Sequence, residues 1–244
     1  MRAFSLSDRG PVRNENQDHG QARLLRAPKG VLLAVCDGMG GANSGALASA
    51  IALETYQNQL EAVLKGGGKN QMLLSHWMRE ACAAANAAVY ERAADPAHSG
   101  MGTTLVAAAI FGRRAEILHV GDSRAYLIRG RRLTQLTRDH SLVAELVAAG
   151  NLTPEEAEHH PQKNIITRAV GVEPAVEPEL TSLRLRAGDR LLLCSDGLSN
   201  TLSRDELVTL SRASRNPAAV CQSLVERACA LGARDNVTAA IAIL

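Results

Sequence analysis

Aromatic residues make up only 2% of this 244-residue chain. Their scarcity argues against a surface that stacks nucleic-acid bases, and it leaves leucine, valine, isoleucine and alanine to build the core. An excess of charge is missing as well. With 27 basic and 25 acidic residues the formal charge is +2, which predicts no strong steering toward DNA, RNA or an anionic membrane. No apolar run approaches the about 18 residues that span a bilayer, and the opening MRAFSLSDRG lacks the apolar stretch of a secretory leader. The five cysteines (Cys36, Cys82, Cys194, Cys221 and Cys229) are odd in number and show no Cys-x-x-Cys spacing. They read as buried free thiols in a reducing compartment. A cytoplasmic protein, acting as a monomer with no nucleic-acid or membrane partner, is the expectation.

What is present is a 46% hydrophobic, globular sequence. VLLAVCD and DRLLLCSD read as buried strands and NVTAAIAIL as a last one, while Ser44 to Leu64 and Gln71 to Ala94 read as Ala-rich helices joined by KGGGKN. GTTLVAAAIFG, RAEILHVG and SRAYLIRG suggest an antiparallel meander. A polar, partly helical insertion follows from about Thr137 to Val172, with Thr153 as N-cap and Pro154 at the first helical position. Further helices are expected from about Ser203 and Pro217. Strands and helices come in blocks rather than in strict alternation, which favours antiparallel sheets covered by helices. Cys221 and Arg227 have the Cys-x5-Arg spacing of a cysteine phosphatase. The residues between them read as an amphipathic helix instead of a phosphate loop.

Two buried-looking runs each end in Asp-Gly, at Asp37-Gly38 and Asp196-Gly197, and Asp122 and Asp235 stand at the edges of other strands. Each alone is ordinary turn or cap chemistry. Four carboxylates at the ends of core strands can crowd together only if cations neutralise them. Oxygen donors favour Mg²⁺ or Mn²⁺, and no His-Glu-x-x-His or Cys/His pairing offers zinc a place. Gly38 lets the backbone turn so that its carbonyl can approach an ion. A close pair of such ions can bring a bound water's pKa toward neutrality for in-line attack on phosphorus. Arg13 has the planar fork that suits phosphate oxygens.

RNENQD, DGMGG, GMGTTLVAA, HVGDSRAYL, the long segment from LTRDHS to ITRAVG, LLLCSDGLSN and RDNVTAAI stand in one order along the chain. In that order they resemble the metal-dependent protein serine/threonine phosphatases of the type 2C (PPM) family, in the compact bacterial form. The resemblance covers nearly all of residues 1–244 and implies one catalytic domain. The implied fold is α+β, a four-layer αββα sandwich of two antiparallel sheets with helices on both sides. The implied activity is hydrolysis of phosphoserine and phosphothreonine in proteins, opposing a bacterial Ser/Thr kinase. Two Mn²⁺ or Mg²⁺ ions would be held by Asp37, Gly38, Asp196 and Asp235, with a third at Asp122 and Asp196. Arg13 would bind phosphate, Gln17, Asp18 and Asn236 would hold metal-bound water, and residues 137–172 would form a flap. Two features depart from the family pattern: Gln17 stands where glutamate is frequent, and Met39 replaces the histidine proposed as general acid in many eukaryotic members. His140 is a candidate substitute. Other readings are a binding-only domain for phosphoproteins, or a phosphatase of small phosphoesters or of anti-sigma-factor antagonists.

Overall fold

The structure, a computed structural model, describes residues 1–26, 29–41, 44–65 and 73–244. The run VLLAVCDGM lies within an eleven-residue strand, β3 (Lys29–Met39), buried without a break from Gly30 to Cys36. Its two faces meet different partners. Val31, Leu33 and Val35 pack against the opposite sheet, whereas Leu32, Ala34 and Cys36 pack against helices. A strand covered on both sides gains from being apolar at every position, so its sequence shows a run and no alternation.

One sheet has the order β2 (Asp18–Arg26), β3, β5 (Leu105–Phe111), β6 (Arg114–Val120) and β9 (Glu179–Arg184), with the two-residue β4 (Gly102–Thr103) on β3. The other has the order β1 (Arg2–Asp8), β11 (Val237–Ile243), β10 (Arg190–Cys194), β7 (Arg124–Arg129) and β8 (Arg132–Gln135). All pairings within the two sheets are antiparallel. Helices α1 (Ser44–Lys65) and α2 (Leu74–Ala93) cover the first sheet through Tyr56, Leu60, Met78 and Ala85. Between β8 and β9 lie two short helices, α3 (Leu142–Ala148) and α4 (Pro154–His159). The short α5 (Asp196–Ser199), α6 (Arg204–Arg212) and α7 (Pro217–Ala230) cover the second sheet through Leu198, Leu207, Val220 and Leu224. The four layers expected from the resemblance are present.

Local signals place the helix starts. Ser203 and Thr153 each close a reciprocal capping box with a glutamate three residues on, and Asn216 caps α7 ahead of Pro217. Cys221 and Arg227 both lie within α7, as the amphipathic reading required. The glycine-rich connection after α1 falls almost wholly outside the described residues.

The expected three-stranded meander is corrected. β5 and β6 form a hairpin, but β6 pairs next with β9, while β7 joins β10 in the other sheet. The chain crosses between sheets at Gly121, whose φ of +103° suits glycine and whose added Cβ would stand 2.6 Å from a methyl of Thr104. Three consecutive β-rich runs looked like one sheet because their apolar content is the same in either.

Candidate metal centre

Every strand that carries a predicted aspartate delivers it to the same end of the sandwich. β3 runs toward that end and reaches Asp37 two residues before it stops; β6 leads into Asp122, and β10 leads into Asp196. β2 and β11 run away from it, beginning at Asp18 and just after Asp235. Asp18 and Asp37 are direct cross-strand partners, and the Asp196 and Asp37 carboxyls lie close enough to influence one another.

The backbone at Asp37 is clamped. Its N–H donates to Thr104 Oγ1 at 2.9 Å, and its carbonyl accepts from the Thr104 N–H and from Thr103 Oγ1, both at 2.9 Å. Gly38 sits where backbone meets backbone: its N–H donates to the Gln17 carbonyl, and a Cβ there would stand 2.0 Å from the Gly45 carbonyl oxygen. A side chain at residue 38 would force the start of α1 away from the aspartates.

Crowding and burial raise the proton affinity of the cluster. Burial, then the charges of Asp18, Asp196, Asp122 and Asp235, pushes the Asp37 carboxyl well above the ordinary range. Burial also pushes Asp18 and Asp122 up to about 7 each, and it raises Asp196. Three carboxylate oxygens, Asp18 Oδ1, Asp122 Oδ1 and Asp196 Oδ1, are buried without a hydrogen-bond partner. Orphaned anionic oxygens at the ends of distant strands fit a hard divalent cation and nothing else in the protein's own inventory.

Arg13 lies against the cluster, donating from Nη2 to Asp235 Oδ2 at 2.7 Å while about half exposed. Asn236 spends its amide on the loop that carries Arg13. Its Oδ1 accepts from the Gln17 N–H, and its Nδ2 donates to the Arg9 and Glu15 carbonyls, each at 2.8 Å. The Gln17 side chain donates to Glu15. Asn236 and Gln17 therefore shape the loop that carries Arg13. Asp18 keeps one oxygen free, since Ser195 Oγ donates to its Oδ2 at 2.6 Å and in turn accepts from the Thr238 N–H at 3.0 Å. Ser195 was not singled out in the sequence; its one signal was its place immediately before Asp196.

His140, the candidate acid in place of Met39, is withdrawn from solvent. It is 6% exposed and stacks on His119 with ring centroids 4.3 Å apart. Its Nδ1 accepts from the Gly121 N–H at 3.1 Å. Burial, followed by His119 and Arg168, pushes it down to about 4, so near neutrality it is an uncharged imidazole and not an imidazolium acid. His119, His140 and Glu179 have ligand atoms close enough to one another for an ion. The Gly121 bond fixes the His140 proton on Nε2, the nitrogen that would have to face the metal, and Arg168 Nη1 lies 3.3 Å from that nitrogen. The aspartate cluster is the better metal centre.

A cleft of about 670 Å³ opens beside Asp122 and Asp196, walled by Arg124, Asp139, Ser199 and residues of α3 and α4. Arg124 binds both oxygens of Asp139 at 2.6 to 3.1 Å, joining the start of β7 to the base of the 137–172 segment. Neither residue was picked out by sequence pattern.

A family profile for protein phosphatase 2C matches residues 12–232. The chain is 39% identical to protein phosphatase PhpP of Streptococcus pneumoniae, over 99% of this chain and 96% of that protein. It is 42% identical to serine/threonine protein phosphatase PstP of Mycobacterium tuberculosis, over 99% of this chain but 45% of that longer protein. Among solved structures, the Streptococcus agalactiae serine/threonine phosphatase superposes with a TM-score of 0.91 at 36% identity, covering 100% of this chain and 99% of that one. The catalytic domain of PstP in complex with two manganese ions superposes at 0.83 with 37% identity, covering 98% and 96%.

Proposed function

The chain belongs to the protein phosphatase 2C family, and we propose that its aspartate cluster removes phosphate from phosphoserine and phosphothreonine in proteins. The observation that carries this reading is the trio of buried, unpartnered carboxylate oxygens contributed by Asp18, Asp122 and Asp196. Asp37, the Gly38 carbonyl, Asp196 and Asp235 would hold two Mn²⁺ or Mg²⁺ ions, and Asp122 with Asp196 a third. When bound, the ions act as Lewis acids toward the phosphoryl oxygens and acidify water for attack on phosphorus.

The protein's own groups do the rest. Arg13 is exposed enough to turn from Asp235 to a phosphate and offers it two parallel donors. Asp18, with one oxygen fixed by Ser195, keeps the other free to accept a hydrogen bond from water at the ions. Met39 has no proton to give and His140 is sequestered, so the leaving oxygen takes its proton from water. Residues 137–172 wall the cleft beside Asp122, which supports a flap that receives the substrate chain within a single catalytic domain. The partner class is a phosphorylated protein, with a bacterial Ser/Thr kinase as the opposing enzyme and a monomer as the working form. All five cysteines are unpaired thiols, in keeping with a cytoplasmic setting. Among the described residues no helix is long and apolar enough to cross a membrane.

Asp37→Asn and Asp196→Asn test the assignment. Both should abolish Mn²⁺-dependent phosphate release from a phosphothreonine peptide while the proteins remain folded by circular dichroism. Full turnover in both variants would reject it.

A further inference from the structure

The near-neutral total charge conceals a strong separation. The aspartates gather at one end of the sandwich, and the hairpin turns at the other end are basic. The turns after β2, β5 and β7 carry Arg26 and Lys29, Arg113 and Arg114, and Arg131 and Arg132, all exposed. The connection from β9 to β10 adds exposed Arg184 and Arg186. The only side-chain carboxylate in these four turns is Asp189, which is buried and bonded to Arg129. Among the described residues, no ion pair engages Arg26, Lys29, Arg113, Arg131 or Arg132. Like charges held this close repel one another, and an anionic partner relieves the repulsion.

Beside three of these cations lies a mostly apolar groove of about 440 Å³, which the terminal residues Met1 and Leu244 also line. Leu24, Leu25 and Val31 line it, and Lys29, Arg113 and Arg186 stand on its rim. Leu24 is 62% exposed, whereas Leu25 and Val31 form a recessed floor at 8% and 1%. A flat bilayer reaches the cations but not that floor. A single-stranded nucleic acid needs aromatic platforms, and the groove has none. A protein segment uses both features, since an apolar side chain can enter the groove while flanking carboxylates meet the rim.

We propose that this pole is a docking surface for an acidic, extended segment of a partner protein, with an aliphatic side chain seated in the groove and aspartates or glutamates on Lys29, Arg113 and Arg186. The eight-residue rise of β3 from Lys29 to Asp37 sets the separation from the metal centre at about 26 Å. A segment bound here would therefore hold its protein near the catalytic end without obstructing it.

The test uses fluorescence anisotropy with a labelled peptide that has one leucine between two runs of glutamate. EDTA is present so that no ion recruits the peptide to the aspartates. The wild-type protein should bind the peptide in a salt-sensitive way. The Lys29→Glu/Arg113→Glu/Arg186→Glu variant should bind it at least about tenfold more weakly, and a peptide with serine for leucine should lose several-fold in affinity. Turnover of p-nitrophenyl phosphate with Mn²⁺ should be unchanged in the variant, showing that it is folded. The proposal is overturned if the peptide does not bind, if the triple variant binds within twofold of wild type, or if the serine peptide binds equally well. Tighter capture of the wild type by phosphatidylglycerol vesicles or by single-stranded DNA than by the peptide also overturns it.

Discussion

Replacing Asp18 by asparagine should make the metal-free protein more stable at neutral pH. Asp18 is 3% exposed, has one oxygen without a partner, and is pushed up from 3.8 to about 7, chiefly by burial. Below pH 3.8 the carboxyl is protonated in the folded and unfolded chains alike, so its ionisation does not affect folding. As pH rises from 3.8 to 7 the unfolded chain releases the proton and the folded chain keeps it. Stability then falls by about 1.4 kcal/mol per pH unit, and the fall levels off above pH 7 at roughly 4 kcal/mol. Asparagine has no proton to lose, its carbonyl can still accept from Ser195, and its amide hydrogens face carboxylates. Urea unfolding of both proteins in EDTA, from pH 4 to 8, isolates the effect as their difference. The gap should be near zero at pH 4 and approach 4 kcal/mol at pH 7.5, equivalent to a melting shift of roughly 10 °C for a chain of this size. Saturating Mn²⁺ should narrow it, because ions then neutralise the cluster. A gap independent of pH, or a variant less stable than wild type at pH 7.5, refutes the crowded-carboxylate account.

Two more substitutions probe the scaffold of the site. Gly38→Ala places a Cβ 2.0 Å from the Gly45 carbonyl oxygen, whereas Gly41→Ala meets no atom within 4 Å. Thermal melts should therefore show a loss of about 2–4 kcal/mol for the first and little change for the second; equal melting temperatures would contradict the close approach of α1 to β3. His140→Asn keeps an acceptor for the Gly121 N–H and removes the imidazole. Because His140 is pushed down to about 4, the pH profile of kcat/KM between 5.5 and 8 should keep its inflections, and loss of one would return His140 to the chemistry.

The elements whose causes are local were legible in advance. Ser203 and Thr153 mark helix starts because a cap satisfies N–H groups two or three residues away, and Pro217 marks another because its missing N–H costs nothing in a first turn. The β3 and β10 runs mark core strands because apolar burial on both faces leaves an unbroken pattern. Asp37 and Asp196 stood out for the same reason, as carboxylates closing such runs. Arg13, Gln17, Asp18 and Asn236 were legible only through the order of motifs along the chain. Nothing near Asn236 signals that its amide holds the backbone of Arg9, Glu15 and Gln17, more than 200 residues away.

The sequence by itself determined the strands and helices, the oxygen-donor chemistry and the family, since these depend on neighbours along the chain or on motifs in a fixed order. Only the tertiary structure decided that β7 leaves its hairpin neighbours for the other sheet, that Ser195 braces Asp18, and that His140 is buried against His119. It also separated a near-neutral composition into an acidic pole and a basic one. Burial, hydrogen-bond partners and electric fields depend on distance in space, and the eleven antiparallel strands of the described residues bring together side chains that are far apart in sequence.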